Sequence, residues 1–199
     1  MNSNIDVLEA PVQELVLEEK PVETGLPNWN LDATHSNAGF SVRHLMISNV
    51  RGEFRQLSGT LQYDPANVEN SVVSVTIQAA SIDTREPNRD AHLKSADFFE
   101  TEKYPDITFN STAWQHKNDD ELIIKGDLTM HGVTRQVVLT AERTPTMKDP
   151  WGGTRVGFTG KTKIIRKDFG LHYNAALEAG GVVVGEEVTI SLEAEFVKA

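Results

Sequence analysis

Hydrophobic and polar residues alternate most regularly along Glu121–Glu142, where apolar residues occupy every second position. This period of two is typical of a β-strand with one buried face. The alternation stops at His131 and Gly132 and then resumes, which predicts a β-hairpin whose glycine supplies the positive φ of a tight turn. Arg135 breaks the pattern, because it shares the parity of the apolar residues and so aims a charge at the apolar side of the sheet.

The same period recurs from Trp29 to Phe196 and predicts about eight antiparallel strands. It is lost in Ser81–Phe99, which predicts a loop with a short helical insert that Asn88 would cap. Strands with one apolar face each can form a sandwich or a closed barrel, and only closure removes the exposed sheet edges. We therefore expect an all-β fold, an eight-stranded antiparallel barrel with short helical inserts.

The residues predicted to face inward combine large apolar side chains with small ones such as Ala38, Gly59 and Ala194. Small residues also permit tight sheet packing, so a solid interior stays an alternative. An eight-stranded barrel holds a small ligand when its lining is not all bulky. Strands of roughly nine to eleven residues, at about 3.3 Å each, give a lumen on the order of 30 Å long, which suits a thin apolar guest. The predicted lumen residues are Phe40, Val42, Leu61, Ile77, Phe109, Leu128, Val137, Phe158, Ile190 and Leu192.

Three ionisable residues, His44, Arg135 and Arg166, share parity with this lining and lie at or near strand ends. A buried cation without a partner is costly, so each must meet an acid, water or a ligand anion. One interpretation is internal pairing with Asp90, Asp127 or Asp168. The other is that they bind a polar or phosphorylated head group, since arginine suits bidentate phosphate contact.

The length and net charge of the chain limit the number of domains and the classes of binding partner. With 199 residues the chain is sized for one domain, and a net charge of −10 argues against nucleic acid or an anionic membrane surface as partner. Residues 1–26 carry six acids and one base, half of that net charge, which predicts a disordered acidic tail before a domain at 27–199. Helically spaced apolar residues in the tail also allow docking on a partner. The N-terminus has no signal-peptide pattern, so we expect a cytoplasmic protein, or a periplasmic one if a leader was removed.

Patterns for catalysis and metal binding are missing from the sequence. There is no cysteine, and the six histidines lack the tight spacings of a zinc site. No nucleophile elbow, phosphate loop or dinucleotide fingerprint occurs. We expect no metal, no cofactor and no catalytic residue. One competing hypothesis is an enzyme acting on a lipid or small hydrophobic substrate in the barrel, with His44 or His131 as the acid-base residue. The other is a stress-related scaffold acting through its surface and acidic tail.

Eight runs in consistent order resemble the YceI-like family. They are W-x-L-D-x-x-H-S at Trp29–Ser36, F-S-V-R-H-L-M at Phe40–Met46, G-x-F at Gly52–Phe54, S-I-D-T at Ser81–Thr84, R-D-x-H-L-K-S-x-D-F-F at Arg89–Phe99, Y-P-x-I-T-F at Tyr104–Phe109, G-D-L-T-M-H-G-V-T-R at Gly126–Arg135 and R-K-D-F-G-L at Arg166–Leu171. The resemblance implies an extended lipocalin-like barrel that binds isoprenoid or other long-chain amphiphilic lipids, such as polyprenyl quinones or phosphates. It also implies a homodimer without known catalysis. From the sequence itself we expect no stable membrane insertion, since the longest apolar run of the N-terminus is far too short for a transmembrane span.

Overall fold

A computed structural model describes residues 25–175 and 183–199. Its strands are β1 Asn28–Leu31, β2 Asn37–His44, β3 Ser48–Phe54, β4 Leu57–Gln62, β5 Val72–Gln78, β6 Ile82–Asp83, β7 Asp106–His116, β8 Glu121–Met130, β9 Val133–Arg143, β10 Met147–Lys148, β11 Thr154–Ile165 and β12 Val184–Lys198. The described residues include one α-helix, α1 (Pro87–Lys94), and short 3-10 helices at Val68–Asn70, Ala79–Ser81 and Arg166–Phe169. The predicted tail, residues 1–26, lies almost wholly outside the described residues.

The strands close into an antiparallel ring. From β12 the order runs through β11, β9, β8, β7, β5, β4 and β1 back to β12, which makes eight strands. One edge of β12 pairs with β11 from Glu187 to Val197, while its other edge is shared between β2 and β1. The hairpin β2–β3 continues the β1–β4 pair and extends one end of the wall. The expected eight-stranded antiparallel barrel is confirmed.

The β8–β9 hairpin anticipated from the alternation is present. The strands pair without interruption from Glu121 opposite Glu142 to Met130 opposite Val133. His131 and Gly132 form the turn with φ values of 52° and 71°, the left-handed pair that matches the twist of a two-residue hairpin. Along β8, buried residues alternate with more exposed ones, as a barrel wall requires.

The helical insert is also confirmed, but its cap differs from the prediction. Glu86, not Asn88, precedes the helix, and its carboxylate accepts hydrogen bonds from the backbone N–H groups of Asn88 and Arg89. Pro87 follows at the first helical position, where its missing N–H costs nothing. Among the residues described, no helix has the length and apolar character needed to cross a membrane.

Candidate ligand-binding cavity

The barrel contains an apolar cavity, and the empty space between its lining side chains, counted together with the solvent at its mouth, is about 1330 Å³. Every lining residue but a few is hydrophobic, and the lining comes from the inward positions of the strands together with residues of two connecting segments. Those residues are Leu31, Asn37, Ala38, Gly39, Phe40, Val42, Phe54, Leu57, Val75, Ile77, Leu93, Phe98, Phe99, Ile107, Phe109, Leu128, Met130, Val137, Leu139, Thr162, Ile164, Arg166, Leu171, Val184, Val188, Ile190, Leu192, Glu193 and Ala194.

One end of the barrel is closed by an aromatic cluster, which we call the aromatic floor: Tyr63, Trp114, Phe158 and Phe196. The ring of Phe158 lies edge-on to the other three, with centroid distances of 5.6 Å to Tyr63, 5.9 Å to Trp114 and 6.1 Å to Phe196. All four are buried, so this end is packed with side chains. Leu139, a cavity-lining residue, belongs to the same packed cluster, so the cavity ends where the aromatic floor begins.

The opposite end is covered by two segments that carry no strand period. We call their cavity-lining residues Leu93, Phe98, Phe99 and Leu171 the cover. Phe99 lies edge-on to Phe54 of β3 at 5.8 Å, and Phe98 packs on Tyr173 at 4.9 Å. The first segment contains α1 and the second follows the 3-10 helix Arg166–Phe169. The cover therefore joins two separate parts of the chain above the cavity.

Two glycines leave the space that aromatic rings of the cavity lining occupy. A Cβ at Gly52 would lie 2.5 Å from the Phe40 ring, and a Cβ at Gly126 would overlap the Phe109 ring and lie 2.6 Å from the Asn110 carbonyl oxygen. Contacts this short do not occur in folded proteins, so only glycine fits here while the rings stay in place. The small inward residues of the sequence thus include positions that receive a neighbouring ring.

Arg166 is the buried cation of the described lining, with 3% of its surface exposed. Its guanidinium donates hydrogen bonds to the backbone carbonyl oxygens of Gly185 (2.9 Å), Leu171 (2.5 Å) and Val184 (3.5 Å). Burial lowers the pKa of Arg166 from its ordinary value. These bonds connect the cover at Leu171 to the start of β12. Arg166 is therefore a positioning group for the cover as well as a charge beside the cavity.

The other two head-group candidates lie outside the lining. His44 is half-buried at the end of β2, and Arg135 is exposed and donates to the Thr134 carbonyl oxygen at 3.0 Å. Within residues 25–175 and 183–199, none of the three candidates forms an ion pair with Asp90, Asp127 or Asp168. Asp90 instead accepts hydrogen bonds from the Thr84 backbone N–H at 2.9 Å and from the Thr84 hydroxyl. The structure thus brings only Arg166 to the cavity.

Eight of the ten predicted lumen residues line the cavity: Phe40, Val42, Ile77, Phe109, Leu128, Val137, Ile190 and Leu192. Leu61 and Phe158 point inward too, but they belong to the packed end of the barrel around the aromatic floor. The cover residues were missed by the sequence reasoning because their segments lack alternation. The signal that could have found them is the pair of adjacent aromatic residues, Phe98 and Phe99, in a segment of otherwise polar composition.

Two histidines that could suggest chemistry have structural contacts away from the cavity lining. The Nδ1 atom of His131 lies 3.2 Å from the Phe169 carbonyl oxygen, and its Nε2 atom lies 3.7 Å from a Glu100 carboxylate oxygen. His35 lies beside Asp32 and Glu195. The possible ligand atoms of these three residues lie within 4.8 Å of one another, close enough to hold a metal ion. Arg155 already binds both carboxylates, at 2.7 Å to Asp32 and by a short contact to Glu195. A cation there would have to displace the guanidinium.

The fold and the cavity define a class: lipocalin-like antiparallel barrels with an apolar interior cavity that is packed shut at one end. Comparison of the sequence then gives the family. A sequence profile of the YceI-like domain matches residues 29–196, and the chain belongs to this family.

Similar proteins agree with that membership. A UPF0312 protein of Vibrio cholerae is 42% identical over 142 residues, which cover 71% of this chain and 75% of that one. The solved YceI protein of Campylobacter jejuni is 33% identical and superposes with a TM-score of 0.68 over 78% of this chain and 89% of that one. A polyisoprenoid-binding domain of Saccharophagus degradans, implicated in plant cell wall breakdown, shares the fold at 19% identity, with a TM-score of 0.64 over 87% of this chain and 99% of that one.

Proposed function

We propose that the protein binds a long-chain isoprenoid lipid in the barrel, of the polyprenyl quinone or phosphate type, and sequesters or carries it without catalysis. The observation that carries the proposal is the cavity itself, which is lined almost wholly by hydrophobic side chains from the inward faces of the strands. The related domain of Saccharophagus degradans, described as polyisoprenoid-binding, supports the same class of ligand.

The binding energy would come from transfer of the lipid tail out of water. Each buried CH₂ group contributes about 0.8 kcal/mol, so one five-carbon isoprene unit contributes on the order of 4 kcal/mol before the entropic costs of binding. Because polar side chains are few in the lining, the walls offer little to select for hydrogen-bonding features of the tail. Recognition should therefore depend on the length and width of the tail.

We place the polar head group at the covered end. The aromatic floor is packed, whereas the covered end contains Arg166, whose guanidinium bonds to backbone carbonyl oxygens and interacts with the Glu186 carboxylate only beyond ion-pair distance. A phosphate or a quinone oxygen near this guanidinium would offset part of the cost of burying it. The tail would then run down toward the aromatic floor.

Mass spectrometry of an organic extract of the purified protein tests the proposal directly. Val137 lines the cavity, while the next residue of β9, Val138, is 47% exposed. Val137→Glu places a charge in the lumen and should abolish lipid recovery, and Val138→Glu is the matched control that should retain it. Extracts free of lipid from a correctly folded wild-type protein, or equal recovery from both variants, would contradict the proposal.

A non-enzymatic role is favoured over the enzyme hypothesis because His44 and His131 are not among the cavity-lining residues. An acid-base histidine would have to reach a substrate held in the lumen. Turnover of a lipid by the wild-type protein that is lost in His131→Gln would support the enzyme hypothesis instead. The scaffold hypothesis differs again, since deletion of residues 1–26 would then abolish activity while lipid binding survives.

The homodimer and the cytoplasmic location stay predictions. Sedimentation of the purified chain over a range of concentrations tests the first, and fractionation of cells that produce the protein tests the second.

A further inference from the structure

The loop between β2 and β3 presents hydrophobic side chains to solvent. We call Leu45, Met46 and Ile47 the hairpin tip. Met46 is 62% exposed and Ile47 is 79% exposed. Single exposed apolar residues are ordinary, but two neighbours at the end of a projecting hairpin form a continuous apolar surface.

The backbone of the hairpin tip is also unusual. Leu45 and Met46 both have positive φ, 51° and 59°, and the Ile47 N–H donates to the His44 carbonyl oxygen at 3.0 Å. This turn geometry favours Asn-Gly, because large side chains are strained in the left-handed region. Here the sequence places two bulky apolar residues at those positions. Strain and exposed apolar surface at one place point to a functional surface.

The hairpin tip lies at the covered end of the cavity. Val42 of β2 and Val184 of β12 both line the cavity. His44 pairs with Val184, and the Leu45 N–H donates to the Val183 carbonyl oxygen at 2.9 Å. The hairpin tip therefore starts immediately beyond the cavity wall, at the end opposite the aromatic floor.

The hairpin segment that carries the tip is itself positively charged, in contrast to the whole chain. Residues 39–52 contain no acid, and Arg43 and Arg51 of this segment are both exposed. Of the acids on the neighbouring strand β12, Glu186 is paired with Lys167, and Glu187 with Lys163 at 2.8 Å. At physiological salt, charges beyond about 8 Å are largely screened, so the local cations outweigh the distant net charge of −10.

We propose that the hairpin tip docks on an anionic phospholipid surface and brings the covered end of the cavity to the membrane. An apolar tip with flanking arginines has the chemistry of an interfacial contact: the side chains enter the head-group region while the cations bind lipid phosphates. Docking of this kind is peripheral and reversible. The composition of the whole chain argued against an anionic membrane partner, and the segregation of charge at the hairpin tip reverses that expectation locally.

Co-sedimentation of the full chain with vesicles tests the proposal. Wild-type protein should bind vesicles of phosphatidylcholine mixed with phosphatidylglycerol, and the double variant Met46→Ser/Ile47→Ser should bind about tenfold or more weakly. Arg43→Gln and Arg51→Gln should each weaken binding about fivefold and reduce its salt dependence. The matched control is Trp151→Ser, because Trp151 is 85% exposed in the turn before β11, at the aromatic-floor end.

Several outcomes would overturn the proposal: no binding of the wild-type protein to either vesicle, equal binding by the double variant, or an equal loss with Trp151→Ser. A shift from dimer to monomer in the double variant, with no vesicle binding by the wild type, would assign the hairpin tip to a contact between two copies of the chain. As a second readout, Ile47→Trp should show a blue-shifted emission on anionic vesicles. An unshifted emission in a folded variant would also refute the proposal.

Discussion

Phe158 forms the centre of the aromatic floor, so its removal should deepen the cavity. The ring contacts Tyr63, Trp114 and Phe196 edge-on and is 7% exposed. Phe158→Ala would empty a space comparable to the ~150 Å³ cavities that hold a benzene ring. At about 24 cal/mol per Å³ this space costs ~3.6 kcal/mol, within the range of about 3 to 5 kcal/mol measured for buried Phe→Ala substitutions.

The same substitution should change which lipid binds best. In the wild-type protein, a tail longer than the distance from the covered end to the aromatic floor gains nothing from its extra carbons. In Phe158→Ala the extra carbons enter the emptied space and gain about 0.8 kcal/mol for each CH₂ group. We therefore expect the optimum tail to lengthen by about one isoprene unit, and a longer lipid to restore part of the lost stability.

The assay is a series of prenyl alcohols of increasing length, with dissociation constants from competition against a fluorescent lipid and unfolding temperatures measured with each ligand. Leu122→Ala is the control. Leu122 is buried in the same packed cluster and pairs with Ala141, farther from the cavity than Leu139, which pairs with Ile124. It should lose stability without a change in length preference. An unchanged optimum in Phe158→Ala, in a protein that still binds lipid, would refute the aromatic floor as the limit of the cavity.

Three further predictions concern the wall, the cover and the closed end. Gly126→Ala should push the Phe109 ring into the cavity, which lowers both the unfolding temperature and lipid capacity in the extraction assay. Arg166→Met removes the hydrogen bonds that hold the cover and should speed lipid release in stopped-flow experiments. It should cost about 1 to 3 kcal/mol in stability, because buried carbonyl oxygens lose their donor, whereas exposed Arg135→Met should change neither. Hydrogen bonds from His35 and Arg155 lower the pKa of Asp32 in the folded protein. The stability from this carboxylate is therefore present above about pH 3.9 and is lost as the pH falls below that value. In Asp32→Asn, the free energy of unfolding should fall less steeply with decreasing pH in this acid range.

Alternation predicted the barrel and most of its lining because a period of two fixes which side of a sheet each residue faces. It does not fix the height of a residue along the barrel axis. Phe109 and Phe158 have the same inward parity, yet Phe109 lines the cavity and Phe158 belongs to the aromatic floor. That difference depends on which rings meet across the barrel. These contacts join residues far apart in the sequence, such as Tyr63 and Phe158, so the local pattern of a strand does not contain them.

Arg135 shows a second limit of the alternation pattern, which does not predict whether a residue at an inward strand position is buried. It shares the inward parity of Val137, but the pairing of β9 with β11 covers only Thr140–Arg143, so the wall has no neighbouring strand beside Arg135 on that edge. A long cation there reaches solvent. Arg166 has the same parity and is buried, because the chain leaves β11 at that point and folds as a 3-10 helix over the barrel end. Strand-end charges thus depend on the paths of neighbouring segments, which alternation does not report.

The two ends of the barrel differ in how they could open, and this difference indicates where the lipid of the proposed function would enter and leave. Opening the aromatic floor would separate four mutually packed rings, whereas opening the cover separates a few apolar contacts and the hydrogen bonds of Arg166 to backbone carbonyl oxygens. Those hydrogen bonds can be replaced by water or by the oxygens of a lipid head group, while lost ring packing has no substitute in water. Exchange at the covered end is therefore the lower-energy route. The hairpin tip lies at this same end, so membrane docking and lipid transfer would involve one face of the molecule.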